Sequence, residues 1–426
     1  IEFAGFFENG GRSADSTWDF DSTRPHWEQP VHSMLVENKA EAAANSDFFP
    51  VMQKMRVGGY DGKGVTPLAS EADLELLNSR YEPNIDLQDC ITITSHNRQA
   101  DSINQNNLDE ALKIDNEKVC GITDDGLYFN NDEGILANYP AFLEKLFSRS
   151  ETLIALHSED DETIKKNTAY YKSIYGDAIP FKYHSAIRSE AACLMATKRV
   201  LEIAKKYDNR LHLFHISTLA EAMLFDHQKS VSEKRITAEA CIHHLWFSDI
   251  DYDSLGAKIK WNPAVKTKED GDGLLKALLD NHLDIIATDH APHTIKEKSG
   301  LYTQALSGGP LVQHALTVMF ELYQNGKISL EKIVEKMSHH VAEIYKIKDR
   351  GYIREGYYAD LVLVDLNSTW KVGPHNLLSK CMWTPFENVQ FKSKIYNTFV
   401  NGNLVYKNGV IQDQYLGMRL KFSKIR

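Results

Sequence analysis

Leu153-Ile-Ala-Leu-His157, Leu211-His-Leu-Phe-His215 and Ile285-Ile-Ala-Thr-Asp289 share one pattern: a short apolar run that stops on a side chain able to ligate a metal. Runs of this length without polar alternation predict strands buried on both faces. Working outward, Thr152–Leu156, Leu211–His215, Ile236–Cys241 and Asp284–Thr288 read as strands. Between them, residues 188–206 read as a helix with Ala191, Ala192, Met195 and Ala196 on one side, and Thr218–Phe225 and Leu274–Leu279 read as helical. Val119-Cys-Gly-Ile-Thr123 is a further candidate strand, followed by Asp124-Asp125-Gly126. Strand–helix alternation of this kind predicts an α/β fold with parallel strands, either a β/α barrel or a doubly wound sheet.

The chain has 426 residues, enough for a large core and one big domain with a small satellite. A formal charge of -11 argues against nucleic acid or an anionic membrane as partner. Nowhere is there an apolar run of the roughly 18 residues a membrane span needs, and no secretory pattern opens the sequence. The five cysteines, Cys90, Cys120, Cys193, Cys241 and Cys381, are far apart and odd in number. They predict reduced, buried thiols in a cytoplasmic protein rather than a disulfide framework. Toward the C-terminus, Ala359–Asp365 and Asn397–Tyr406 read as β segments, the second with an Asn401-Gly402 turn. The expected organisation is a barrel over residues 21–349 and a small β domain with the tail over 350–426. Residues 1–20 would add a short contribution to that β domain.

The strand ends carry the chemistry. In a parallel β/α barrel all strand ends of one kind face one rim, so residues distant in sequence converge there. Imidazole and carboxylate suit zinc or a similar divalent ion. A single strand-end histidine is more often structural; two histidines and an aspartate on three strand ends favour a metal site. A Ser-His-Asp triad is the weaker reading, because no GxSxG elbow is present. An aspartate after Thr123 either bridges two metals or belongs to an ordinary Asp-Gly turn.

Further segments, in chain order, are His215-Ile-Ser-Thr218, Ile236-Thr-Ala-Glu-Ala-Cys-Ile-His-His-Leu245, Trp261-Asn-Pro263, Thr288-Asp-His-Ala-Pro-His293 and Ser307-Gly-Gly-Pro-Leu-Val-Gln313. Over residues 120–426 this succession resembles the dihydroorotase family, in the cyclic amidohydrolase branch of the amidohydrolases. The Thr-Asp-His-Ala-Pro-His string favours dihydroorotase over hydantoinase and allantoinase. The resemblance implies a distorted (β/α)8 barrel with a small β domain and one or two zinc ions per chain. It also implies reversible hydrolysis of dihydroorotate to carbamoyl aspartate, a step of pyrimidine biosynthesis. By the same resemblance His157 and His215 hold one metal, and Asp289 holds the other and transfers the proton. Asp125 is the bridging aspartate, His26 a further metal ligand, and Asn262, His293, Gly308 and Gly309 contact the substrate. A small-molecule substrate is thus the expected partner, with room for a homodimer.

Residues 1–119 depart from the family. In Arg24-Pro-His-Trp-Glu-Gln-Pro30, Arg24 stands where the first histidine of a His-x-His pair belongs, and Glu28 where an arginine grips the substrate carboxylate. That departure supports an alternative, a dihydroorotase-like barrel that is impaired in catalysis and acts as a binding or assembly partner. His184 and Arg188 read as helix-start and ion-pair residues ahead of catalytic ones, and His243-His244 as packing ahead of a role supporting the metal ligands from behind. The charged clusters after residue 325 read as solvated helix faces.

Overall fold

The structure, a computed structural model, describes residues 112, 119–124, 128–129, 132–133, 136–412 and 417–423. The chain divides into two compact units, one of residues 1–2, 116–123 and 136–426, the other of 3–115 and 124–135. In the second unit Tyr128–Phe129 pairs antiparallel with Asp132–Glu133. His26 and Asp125, two expected metal ligands, lie outside the described residues, as do Arg24, Glu28 and Cys90.

The larger unit is built on five parallel strands: β1 (Gly121–Thr123), β2 (Leu153–Leu156), β3 (Leu211–Leu213), β4 (Ile236–Cys241) and β5 (Ile285–Ala287). They lie side by side in sequence order, β1-β2-β3-β4-β5. Every residue of β2 and β3 is buried, which is why these strands read as unbroken apolar runs. A doubly wound sheet reverses its strand order at a switch point; here the order never reverses. The sheet is the arc of a β/α barrel, which decides between the two architectures the alternation left open.

Helices α1 (Pro140–Arg149), α2 (Asp161–Tyr175), α3 (Glu190–Tyr207) and α4 (Lys268–Leu279) lie between consecutive strands in the chain, and α5 (Ala315–Gln324) follows β5. Each start has a physical cause. Asp160, Ser189 and Thr267 accept the backbone N–H of Thr163, Ala192 and Asp270, capping α2, α3 and α4. Helix α4 begins six residues before the expected Leu274, because two glycines blur its apolar period. Both mark close approach: a Cβ at Gly271 would sit 3.0 Å from the His244 carbonyl oxygen, and one at Gly273 3.0 Å from the Leu219 side chain. The expected helix over Thr218–Phe225 is one turn, Leu219–Ala222. Strands β3 and β5 are shorter than expected because His215 and Asp289 adopt positive φ, 36° and 50°, which no β ladder accommodates.

The C-terminal elements are β6 (Leu361–Asp365), β7 (Trp370–Lys371), β8 (Gln390–Phe391), β9 (Lys394–Val400), β10 (Asn403–Lys407) and β11 (Val410–Ile411). Strands β11-β10-β9-β6 form an antiparallel sheet, and β7 pairs with β8. Asn401 and Gly402, both at positive φ (55° and 79°), close the β9–β10 hairpin as the Asn-Gly pair predicts. Cys120, Cys193, Cys241 and Cys381 are free thiols; Cys381, unlike the other three, is only partly buried, against the expectation.

The rim opposite the strand ends is closed by charge. Lys234 precedes β4 and Asp284 precedes β5; their Nζ and Oδ1 are 2.6 Å apart, and each side chain is 1% exposed. Asp284 Oδ2 also accepts the Ala238 N–H of β4, at 3.0 Å. Removing one partner of such a pair leaves an uncompensated buried charge. Lys234→Met should therefore lower the unfolding free energy by about 3–5 kcal/mol, read as a shift of the urea midpoint. A midpoint within error of the parent's would show that the pair does not pin the β4–β5 register.

Candidate metal centre and substrate loop

His157 follows β2 directly and His215 lies two residues past β3, so both stand at the C-terminal rim. The His157 Nδ1 and His215 Nε2 atoms face each other at 3.1 Å. An ion held tetrahedrally at zinc–nitrogen distances spreads two ligand nitrogens to about 3.3 Å, so the spacing fits a shared divalent ion. Burial, then the positive potential of His157 and His244, pushes the His215 imidazole well below its ordinary pKa. It is thereby kept in the neutral form that ligates metals.

The outer nitrogen of His157 fixes its orientation. His157 Nε2 lies 3.1 Å from Glu159 Oε2, and Glu159 also pairs with the Arg188 guanidinium, all three side chains being buried. A carboxylate accepts, so this approach favours the tautomer with the proton on Nε2 and Nδ1 turned toward His215. Burial alone would raise the Glu159 carboxyl; the charge of Arg188 and the hydrogen bond from His157 overcome it and hold it well below the usual carboxylate range. Arg188 is the ion-pair residue its sequence position implied. Glu159 escaped the sequence reading; its signal was a carboxylate two residues past a strand-end histidine.

Glu239, also missed, does similar work one strand on. From β4 its Oε1 accepts the His215 backbone N–H at 3.1 Å, and its Oε2 lies 3.0 Å from His212 Nε2. The carboxylate thus supports the left-handed backbone that swings His215 out of β3. Non-glycine residues at positive φ store strain and collect at functional sites; His215 and Asp289 are two of them.

Asp289 lies two residues past β5, on the same rim and two strands from β3. The structure brings His157 and His215 together; among the described residues no three His, Cys, Asp or Glu side chains close on one point. Asp124, directly after β1, is fully buried. The expected substrate contacts form a second group. Asn262 is buried, and its Oδ1 has no hydrogen-bond partner among the described residues, which marks a place for an external donor. His293 Nε2 donates to the Ser307 carbonyl at 2.8 Å. Gly308 has φ 112°, and a Cβ there would lie 2.6 Å from the Ala291 carbonyl oxygen; one at Gly309 would lie 2.7 Å from the Trp261 ring. Only glycine fits this turn.

His184 is more than a helix-start residue. Its Nε2 donates to the Trp261 carbonyl at 2.6 Å, leaving Nδ1 to accept the Tyr302 hydroxyl at 2.8 Å. It thus ties the Asn262 segment to the loop that follows Lys298. His243 and His244 are buried, His243 stacked on Trp261 with ring centroids 4.5 Å apart and His244 within 3.3 Å of the Pro263 carbonyl, in line with the packing role read from sequence.

Comparison with known proteins agrees with this geometry. The model of the amidohydrolase family matches residues 141–405. Dihydroorotase of Methanosphaera stadtmanae is 32% identical over 281 residues, covering 66% of this chain and 62% of the relative. Dihydroorotase of Endomicrobium trichonymphae is 30% identical over 294 residues, covering 68% and 66%. The chain thus spans under two thirds of the length of these curated relatives. Among solved structures, L-hydantoinase (dihydropyrimidinase) from Arthrobacter aurescens superposes with a TM-score of 0.65 at 22% identity, over 72% of this chain and 69% of the other; that likeness concerns the fold. Fold, strand-end histidines and family match converge: this chain belongs to the amidohydrolase family.

Proposed function

We propose that the protein is a dihydroorotase, a metal-dependent enzyme that reversibly hydrolyses the cyclic amide of dihydroorotate to carbamoyl aspartate in pyrimidine biosynthesis, in the cytoplasm. The observation that carries the reading is the pair of buried imidazole nitrogens 3.1 Å apart at the strand-end rim. The dihydroorotases matched by sequence support the choice of substrate.

His157 and His215 would hold a divalent ion, zinc by donor type, with Asp289, Asp125 and His26 completing the set. When bound, the ion supplies an activated water and polarises the ring carbonyl. The chain's own residues do the rest. Asp289 takes the proton that the attacking water gives up and delivers it to the ring nitrogen as the carbon–nitrogen bond breaks and the new carbon–oxygen bond forms. Asn262, His293 and the Gly308–Gly309 backbone hold the substrate against the rim. Hydrogen bonding to Glu159 keeps His157 in the tautomer that presents Nδ1.

Two measurements test the reading. Asp289→Asn should keep the fold, by circular dichroism, and lower kcat for dihydroorotate by roughly 100-fold or more, since general acid–base transfer contributes that much; turnover at the parent rate would remove Asp289 from proton transfer. Glu159→Gln should weaken zinc binding by roughly 10- to 100-fold, the usual effect of losing an outer-sphere partner. Competition with a chromophoric chelator measures this, and an unchanged affinity would mean that Glu159 does not set the His157 tautomer.

A further inference from the structure

Two lysines near the substrate loop are buried without a counter-ion. Lys260 is 9% exposed and Lys298 3% exposed, and among the described residues no carboxylate lies within ion-pair distance of either. Each amine is aimed at backbone carbonyls instead. Lys260 Nζ donates to the carbonyls of Tyr302, at 2.9 Å, and Ala305. Lys298 Nζ donates to those of Leu306, at 2.7 Å, and Lys260, at 3.2 Å. The Lys260 carbonyl also accepts the Gly308 N–H at 2.8 Å, so the two lysines and the glycine turn form one connected network.

The network accounts for the loop's depth. The carbonyls of Ala305, Leu306, Ser307 and Gly309 accept from Lys260, Lys298, His293 and the Ala291 N–H respectively. A loop whose carbonyls turn inward carries an unpaired-acceptor penalty unless donors meet them. Long side chains from neighbouring segments can supply those donors where no strand or helix can. Burying an amine with no carboxylate is itself unfavourable: burial, then the nearby Arg188, pushes Lys260 down to about 7, and burial with the charge of Lys260 pushes Lys298 well below its ordinary value. A neutral amine keeps two N–H groups, and each lysine makes two bonds, so the contacts do not require the charge. A leucine or methionine would be tolerated more easily in a merely space-filling role.

We propose that Lys260 and Lys298 are positioning residues: as paired buried amines they hold the Ala305–Gly309 loop at the depth where its backbone receives a small anionic cyclic amide. The substrate half of this proposal rests on the dihydroorotase reading; the loop half does not.

The test uses the full chain with Lys298→Met and, separately, Lys260→Met, each keeping the apolar stem and removing two donors. Hydrogen exchange should accelerate at least roughly tenfold in peptides covering residues 302–311, with the strands β2 to β5 unchanged. For dihydroorotate, KM should rise roughly tenfold while kcat stays within about twofold, the signature of lost ground-state binding. Unchanged exchange in both variants overturns the clamp. Faster exchange with an unchanged KM overturns the substrate role. Loss of folding in both variants would assign the pair to stability and overturn positioning. If the parent does not hydrolyse dihydroorotate, the dihydroorotase reading fails, and the exchange measurement still decides the clamp.

Discussion

The buried carboxylate of Glu159 is the contact on which the centre depends. It sits between the Arg188 guanidinium and His157 Nε2. In a low-dielectric interior an ion pair of this kind breaks even only if its geometry is good and its remaining hydrogen-bonding capacity is used. Here that capacity is used to orient an imidazole. With Nε2 committed as a donor, His157 has one lone pair left, and the strand geometry turns it to His215.

A second carboxylate repeats the logic on the backbone. Glu239 accepts the His215 N–H where the chain leaves β3 in a left-handed conformation. Parallel strands would carry a side chain at that position along the sheet; a positive φ redirects it over the rim. The strain is tolerated because the freed N–H is paired at once. The loop of residues 305–309 meets the same requirement by other means, with donors drawn from Lys260, Lys298, His293 and the Ala291 backbone. Several polar groups that leave regular secondary structure near this rim are met by specific partners, while Asn262 Oδ1 has no hydrogen-bond partner among the described residues.

The two rims divide the labour between stability and chemistry. Lys234 and Asp284 lock β4 to β5 at the N-terminal ends, whereas the ligand-type residues gather at the C-terminal ends. That separation lets the loops and strand ends carry strained backbone and uncompensated amines without loss of the barrel. The family match over residues 141–405 takes in β2 to β5, His157, His215 and Asp289 at their ends, and the loop glycines Gly308 and Gly309.

Much of this was legible in the sequence. Apolar runs ending on His157, His215 and Asp289 announced parallel strands, because a strand buried on both faces is mostly apolar along its length. The Asn401-Gly402 turn was equally plain, since it needs residues that accept positive φ. Helix α4 was half hidden, because Gly271 and Gly273 answer to neighbours in space, His244 and Leu219, that no local pattern reveals. Glu159, Glu239, Lys260 and Lys298 were unreadable for the same reason. A charged residue in a sequence looks solvated until the tertiary fold buries it and supplies its partner. Sequence by itself determined the buried strands, the residue types at their ends and the family. Only the tertiary structure decided which nitrogen of His157 faces His215 and which amines meet the carbonyls of residues 305–306, because orientation and depth are set by contacts between residues far apart in the chain.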